Sequence, residues 1–155
     1  MNLKCKNLLI TGGAGFIGSH FIRLVLNRFG NINIINLDNL TYASNINNYS
    51  EFEKNSNYKF IKGDICDYNL VLKIFDKYEI DSVINFAAES HVDKSIKCPD
   101  LFVKTNINGT HNLLKISYDK WMIKPFKKKK KFVDARFHQV STDEVYGSII
   151  SGSFS

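Results

Sequence analysis

The stretch that decides the fold is TGGAGFIGSH, Thr11 to His20, in which Gly12, Gly15 and Gly18 stand at the spacing G-x-x-G-x-x-G. Before it runs NLLIT (7–11), a short apolar segment of the kind that forms a buried parallel strand. After it Ile17, Phe21, Leu24, Val25 and Phe29 recur at helical spacing, which predicts a helix with that face inward. Between strand and helix, glycines allow a tight turn, close approach of a pyrophosphate and close helix–strand packing. Amides at the helix N-terminus then face the anion. Asp38 ends the next strand about 20 residues beyond the last glycine, where a carboxylate holds the adenosine ribose hydroxyls. Together these predict a dinucleotide site. Asp38 would repel a 2′-phosphate, so the expected cofactor is NAD rather than NADP.

Outward from the glycines the pattern alternates. INIINLD (32–38), YKFIKGD (58–64), SVINFAA (82–88) and RFHQVS (136–141) read as the second to fifth strands. Val71, Ile74, Phe75 and Tyr78 mark a helix with one buried face. Pro99 suits a first helical turn, and a helix is expected to run from it to about Tyr118. Residues 40–57 read as loop with at most a short helix. Strand–helix alternation predicts an α/β, doubly wound parallel sheet (Rossmann) in the order 3-2-1-4-5, ending after the fifth strand. The carboxyl ends of these strands feed one crevice. Asp64 and Ile65 close the third, and Phe86, Ala87 and Ala88 close the fourth, with small residues that let a cofactor approach.

The 155 residues fit one domain, and 44% hydrophobic with 23% charged residues is ordinary globular composition. Five of the six net positive charges lie in one lysine run at 127–131. That run reads as a solvated loop, and no aromatic residue is interleaved with it to stack on bases, so nucleic acid is not an expected partner. Cys5, Cys66 and Cys98 have neither metal nor redox spacing, so no metal is expected and a reducing compartment is. The N-terminal apolar stretch is too short for a signal peptide, and no stretch approaches the ~20 residues of a membrane span. The expected location is cytoplasmic.

STDEVYG (141–147) lies at the carboxyl end of the fifth strand, on the same edge as the glycine loop. Neighbours on a strand point to opposite faces, so Asp143 and Glu144 can share a site only if the backbone leaves strand geometry there. By spacing alone the pair is either two solvated acids in a polar loop or a place for proton transfer.

TGGAGFIGSH, DNLTYAS, GDICD, FAAESHVDKSI, TNINGT and STDEVYG occur here in order. In that series the chain resembles the N-terminal part of the dTDP-glucose 4,6-dehydratases, which are extended short-chain dehydrogenase/reductases. The resemblance runs from about Leu8 to Gly147. Sugar epimerases of the superfamily share the glycine loop but lack the carboxylate pair. By this resemblance Phe16 and Ile17, Asp38, Asn39, Leu40 and Thr41, Asp64 and Ile65, Phe86 to Ser90, and Thr105 line NAD. Ser90 and Thr142 touch the sugar nucleotide, and the catalytic residues are Thr142, Asp143 as the general acid and Glu144 as the general base. The implied reaction is dehydration of dTDP-glucose to the 4-keto-6-deoxy sugar nucleotide. Hydride leaves C4 for NAD, the ketone acidifies C5–H for Glu144, Asp143 protonates the departing C6 hydroxyl, and hydride returns to C6. The two carboxyls must hold different protonation states.

The family's base for the C4 hydroxyl is the tyrosine of a Tyr-x-x-x-Lys helix downstream of STDEVYG. Tyr146 does not supply it, because position 150 is Ile150. Tyr58 and Lys62 match the spacing but lie in the third strand, where four residues span roughly 13 Å. The expected organisation is an incomplete NAD-binding domain over 1–147 and a divergent, disordered tail over 148–155. By the resemblance, the family's C-terminal substrate domain and the helix that makes its homodimer interface are expected to lie outside these residues. Such a chain is expected to be inactive and to fold poorly alone, its fifth strand an exposed edge. The alternatives are an NAD-binding module or remnant without turnover, or another sugar-nucleotide epimerase or dehydratase.

Overall fold

A computed structural model describes residues 4–45, 47–147 and 151–152, with the side chains of Asp143 and Glu144 outside the described set. Most of the expected tail thus lies outside the described residues. Strand β1 (Asn7–Thr11) leads through the glycine loop to α1 (Phe16–Arg28) and β2 (Asn33–Asp38). A short α2 (Asn47–Ser50), β3 (Tyr58–Lys62), α3 (Tyr68–Tyr78) and β4 (Ser82–Asn85) follow. Next come α4 (Val92–Lys97), α5 (Pro99–Phe102), a π-helical stretch (Val103–Gly109) and α6 (Thr110–Trp121). A hairpin of β5 (Met122–Lys124) and β6 (Lys127–Lys128) precedes β7 (Arg136–Gln139). The main sheet runs β3-β2-β1-β4-β7 and its pairings are all parallel, the doubly wound order expected with β7 as the fifth strand.

Alternation along β1 divides the core between the two faces of the sheet. Leu9 joins Ile35, Leu37 and Val83 under α3 and α6, which contribute Ile74, Phe75, Leu113, Ile116 and Trp121. Leu8 and Ile10 join Ile34 under α1, with Ile22 and Val25. Helix α3 is held at its start by Asp67, whose carboxylate accepts the Leu70 amide at 3.0 Å, and ends at Glu79 in the left-handed region. At the end of α6 the Trp121 indole N–H donates to the Ile80 carbonyl at 2.8 Å, which lets a large ring be buried with its polar atom satisfied.

Several boundaries differ from the sequence reading. The third, fourth and fifth strands stop at Lys62, Asn85 and Gln139, short of Asp64, Ala88 and Ser141. The extra residues after the third and fourth strands leave the ladder to line the crevice, whereas Val140 lines a separate groove. On α1 the buried residues are Gly18, Ser19, Ile22 and Val25, while Ile17 and Leu24 are exposed. A Cβ at Gly18 would stand 2.4 Å from the Gly12 carbonyl oxygen, so this residue must face the loop, and that sets the roll of the helix. The helix from Pro99 widens to π geometry in its middle and reaches Trp121, and α4 was not expected.

The lysine run is solvated at Lys127, Lys130 and Lys131, as expected, but it is not a free loop. Lys128 Nζ donates to the Ala135 carbonyl at 2.6 Å, Lys129 Nζ donates to the Asp119 carbonyl at 3.1 Å, and Lys131 pairs with Glu79. Among the described residues β7 is an edge strand, as expected of the fifth strand. On its α1 side a groove of about 650 Å³ lies between sheet and helix, lined by Leu8, Phe21, Val25, Ile84, Phe86 and Val140. Among the described residues no helix is long and apolar enough to cross a membrane, and no cluster of His, Cys, Asp and Glu could hold a metal.

Candidate active site

The site lies at the carboxyl ends of β1, β2, β3 and β4. Gly12 turns the chain out of β1 with φ +71°, a conformation that a side chain disfavours. A Cβ there would also meet the Ala87 amide nitrogen at 2.7 Å. The turn is closed by the Gly12 amide on the Leu37 carbonyl at 3.0 Å and the Gly15 amide on the Gly12 carbonyl at 3.2 Å. Gly15 caps α1 without a side-chain hydrogen bond, which leaves the first amides of the helix to another acceptor.

Asp38 is buried at the end of β2 and accepts three hydrogen bonds: the Ala14 amide at 2.9 Å, the Leu40 amide at 2.8 Å and the Ser44 hydroxyl at 3.0 Å. It thereby joins the glycine loop to the loop that follows β2. Across the crevice, Asp64 accepts the Cys66 amide at 2.9 Å and lies 3.5 Å from Lys104 Nζ. Burial works against the Asp64 carboxylate, but the Cys66 amide, its thiol and the Lys104 ammonium outweigh it and hold the carboxyl below its usual range. Burial, then Asp64, pushes the Cys66 thiol up to about 11, so it is not a nucleophile near neutral pH.

The crevice brings together most of the residues expected to hold a cofactor. Gly12 and Gly15 form one end, Asp38, Asn39 and Thr41 one wall, and Asp64 and Ile65 the floor. Phe86, Ala87, Ala88 and Thr105 form the opposite wall. Six expected residues do not line it. Gly18 packs under the loop, and Leu40 turns with φ 55° to place its amide on Asp38. Phe16 and Ile17 lie exposed on the first turn of α1, and Ser90 and Thr142 are exposed nearby on the same edge. Asp143 and Glu144 start a 3-10 turn (Asp143–Tyr146), so the backbone does leave strand geometry there. Their side chains are outside the described residues.

Six lining residues escaped the sequence reading: Leu37, Ala43, Ser44, Gly63, Leu101 and Lys104. Lys104 directly precedes TNINGT, but only the wide π turn carries it to Asp64. Glu89 is 7% exposed and lines the crevice, and its Oε2 has no partner among the described residues. Its own amide and carbonyl are both held by the Asn106 side chain, each at 2.8 Å.

Residues 9–155 match the family model described as GDP-mannose 4,6 dehydratase. The chain belongs to this family. A curated dTDP-glucose 4,6-dehydratase from Haemophilus influenzae is 49% identical over 143 residues, 92% of this chain and 41% of that protein. One from Xanthomonas campestris is 47% identical over 141 residues, 91% of this chain and 39% of that protein. The chain thus spans about two fifths of the length of the curated relatives it matches. Among solved structures, a dTDP-glucose 4,6-dehydratase from Streptomyces venezuelae with NAD and TYD bound has a TM-score of 0.79 at 41% identity, with 96% of this chain and 43% of that chain covered. The enzyme from Bacillus anthracis in complex with NAD has a TM-score of 0.75 at 39% identity, over 96% of this chain and 42% of that one. These are the enzymes that the motif series resembles.

The Gly12 turn generates a direct test. Gly12→Ala is expected to destabilise the fold by about 2–4 kcal/mol, from the left-handed backbone and the clash with Ala87 together. Urea denaturation of the two proteins measures it.

Proposed function

We propose that these residues form the NAD-binding part of a dTDP-glucose 4,6-dehydratase, acting on a sugar nucleotide in a reducing cytoplasm. The single observation that carries the reading is the meeting of the Gly12–Gly15 turn, the start of α1 and the Asp38 carboxylate in one crevice at the carboxyl edge of a parallel sheet. The fit to NAD rests on the donor set. A carboxylate offers about four lone-pair positions, and three at Asp38 are taken, which leaves one for a ribose hydroxyl. Ala87 and Ala88 leave the opposite wall low. Support for a dehydratase over an epimerase comes from coverage. The dehydratase from Streptomyces venezuelae aligns with 96% of this chain, whereas a UDP-glucose 4-epimerase from Thermotoga maritima aligns with 74%, at a TM-score of 0.65. Nucleic acid is not a proposed partner, because Lys128, Lys129 and Lys131 are engaged within the chain.

In this proposal residues 1–147 are the cofactor unit. Bound NAD would accept hydride from C4 of the sugar and return it to C6. The α1 amides at Phe16 and Ile17 would hold the pyrophosphate, Asp38 the adenosine ribose, and Ile65, Ala87 and Thr105 the body of the cofactor. Ser90 and Thr142 would meet the sugar nucleotide. Glu144 would take the C5 proton and Asp143 would give one to the departing C6 hydroxyl. The 3-10 turn supports this division of labour, because it frees adjacent side chains from the opposite orientations of a strand. Tyr58 and Lys62 do not form the base for the C4 hydroxyl, since both lie on β3 and the phenol of Tyr58 accepts the Asn36 side-chain amide at 2.8 Å.

Calorimetry is expected to give NAD at least a tenfold preference over NADP, about 1.4 kcal/mol. Asp38→Ala should weaken NAD binding and narrow that preference. Tighter NADP binding to the unaltered chain refutes the assignment. Assayed alone, the 155 residues are expected to form no 4-keto-6-deoxy product. Within a complete dehydratase carrying this sequence, Glu144→Gln should slow exchange of the C5 proton with deuterated solvent by about 10²–10⁴. Exchange at the normal rate would remove Glu144 as the base.

A further inference from the structure

The two walls of the crevice are joined across its mouth. Tyr42 stands between the lining residues Thr41 and Ala43 on the β2 side. The Lys94 ammonium, on α4 beyond the opposite wall, lies 2.9 Å from the centre of the Tyr42 ring. The Tyr42 phenol faces Glu89, the buried carboxylate left with an oxygen unpartnered among the described residues. Desolvation and then the Glu89 charge raise the pKa of that phenol, so it remains a donor at neutral pH. Glu89 itself cannot drift, because Asn106 holds its backbone on both sides. The Tyr42 loop is anchored at its base by Asp38 and by the Asn45 amide on the Ala14 carbonyl at 3.2 Å, so Tyr42 lies between two anchored ends.

We propose that Tyr42, Lys94 and Glu89 form a clasp that keeps the dinucleotide in the crevice throughout a turnover. This rests on the dehydratase reading, and the chemistry of that reading supplies the need. The hydride removed from C4 must be returned to C6 of the same sugar, so a cofactor that departs between the two transfers strands an oxidised sugar on an enzyme with nothing to reduce it. A loop held shut by a cation over a ring opens more slowly than the same loop without that contact. Tyr42 and Lys94 are positioning residues here and touch no reacting atom.

The test is the release of bound NADH from a complete dehydratase carrying this sequence, chased with excess NAD and followed by nicotinamide fluorescence. Tyr42 is 54% exposed, so Tyr42→Ala and Lys94→Met should each speed release by about two- to fivefold, the range of an exposed cation–ring contact. The double variant should be little faster than either single one, because both break the same contact. Lys97→Met, which removes an exposed charge on the same helix, should leave release unchanged and so separates the clasp from general attraction to the pyrophosphate. Without cofactor, Lys94→Met should also hasten proteolytic cleavage within residues 39–45. If NADH binds and both single variants release it at the unaltered rate, the clasp is overturned and the dinucleotide reading stands. If that complete, folded protein binds neither NADH nor NAD, the dinucleotide reading falls and the clasp with it.

Discussion

Asp38 carries the interaction on which the rest of the site depends. Its carboxylate is 7% exposed and takes donors from three places: the glycine loop, the turn after β2 and Ser44. A buried carboxylate is tolerated only when its lone pairs are matched, so burial of this group demands that all three segments arrive together. The glycine loop therefore closes against β2, and the β2 loop is drawn back over it. The crevice is the space left between that tied pair and the β4 wall.

The second constraint is the distance between β1 and β4. At Gly12 there is no room for a Cβ against the Ala87 backbone, and at Gly18 none against Gly12 itself. The approach is reinforced by a buried polar chain across the sheet. The Thr11 hydroxyl donates to the Asn85 side-chain oxygen, and the Asn85 side-chain nitrogen donates to Gln139 Oε1 at 2.7 Å and the Thr110 hydroxyl at 3.3 Å. Thr11 and Asn85 are fully buried, so each polar atom in this chain needs its partner, and β1, β4, β7 and α6 share one register at the edge where the crevice opens. The parallel ladder alone would not hold that edge, because its hydrogen bonds end where the strands end.

The lysine run shows the same logic outside the site. Five consecutive lysines would repel one another as a free loop. Three of them instead find carbonyls or a carboxylate on neighbouring elements, which pins the β5–β6 hairpin beside α6 and lets Ala135 enter the core just before β7.

Much of this was legible in the order of residues. Strand–glycine–helix at 7–28, Asp38 at the next strand end and the alternation that follows specify a parallel doubly wound sheet, because apolar periodicity and glycine placement act locally. The motif series from TGGAGFIGSH to STDEVYG named the family and most of the crevice. What local pattern could not supply depends on distances between segments far apart in the chain. The roll of α1, which buries Ile22 and exposes Ile17 and Leu24, comes from one contact between Gly18 and the Gly12 carbonyl. The early ends of β3 and β4 leave Asp64, Ile65 and Phe86 to Ala88 to line the crevice. Lys104 reaches Asp64 only through a π turn, and Lys94 meets Tyr42 only because two loops close over the same crevice. Periodicity reports which face of an element is buried on average, whereas these contacts are fixed by which neighbour stands there, and that is a property of the folded chain.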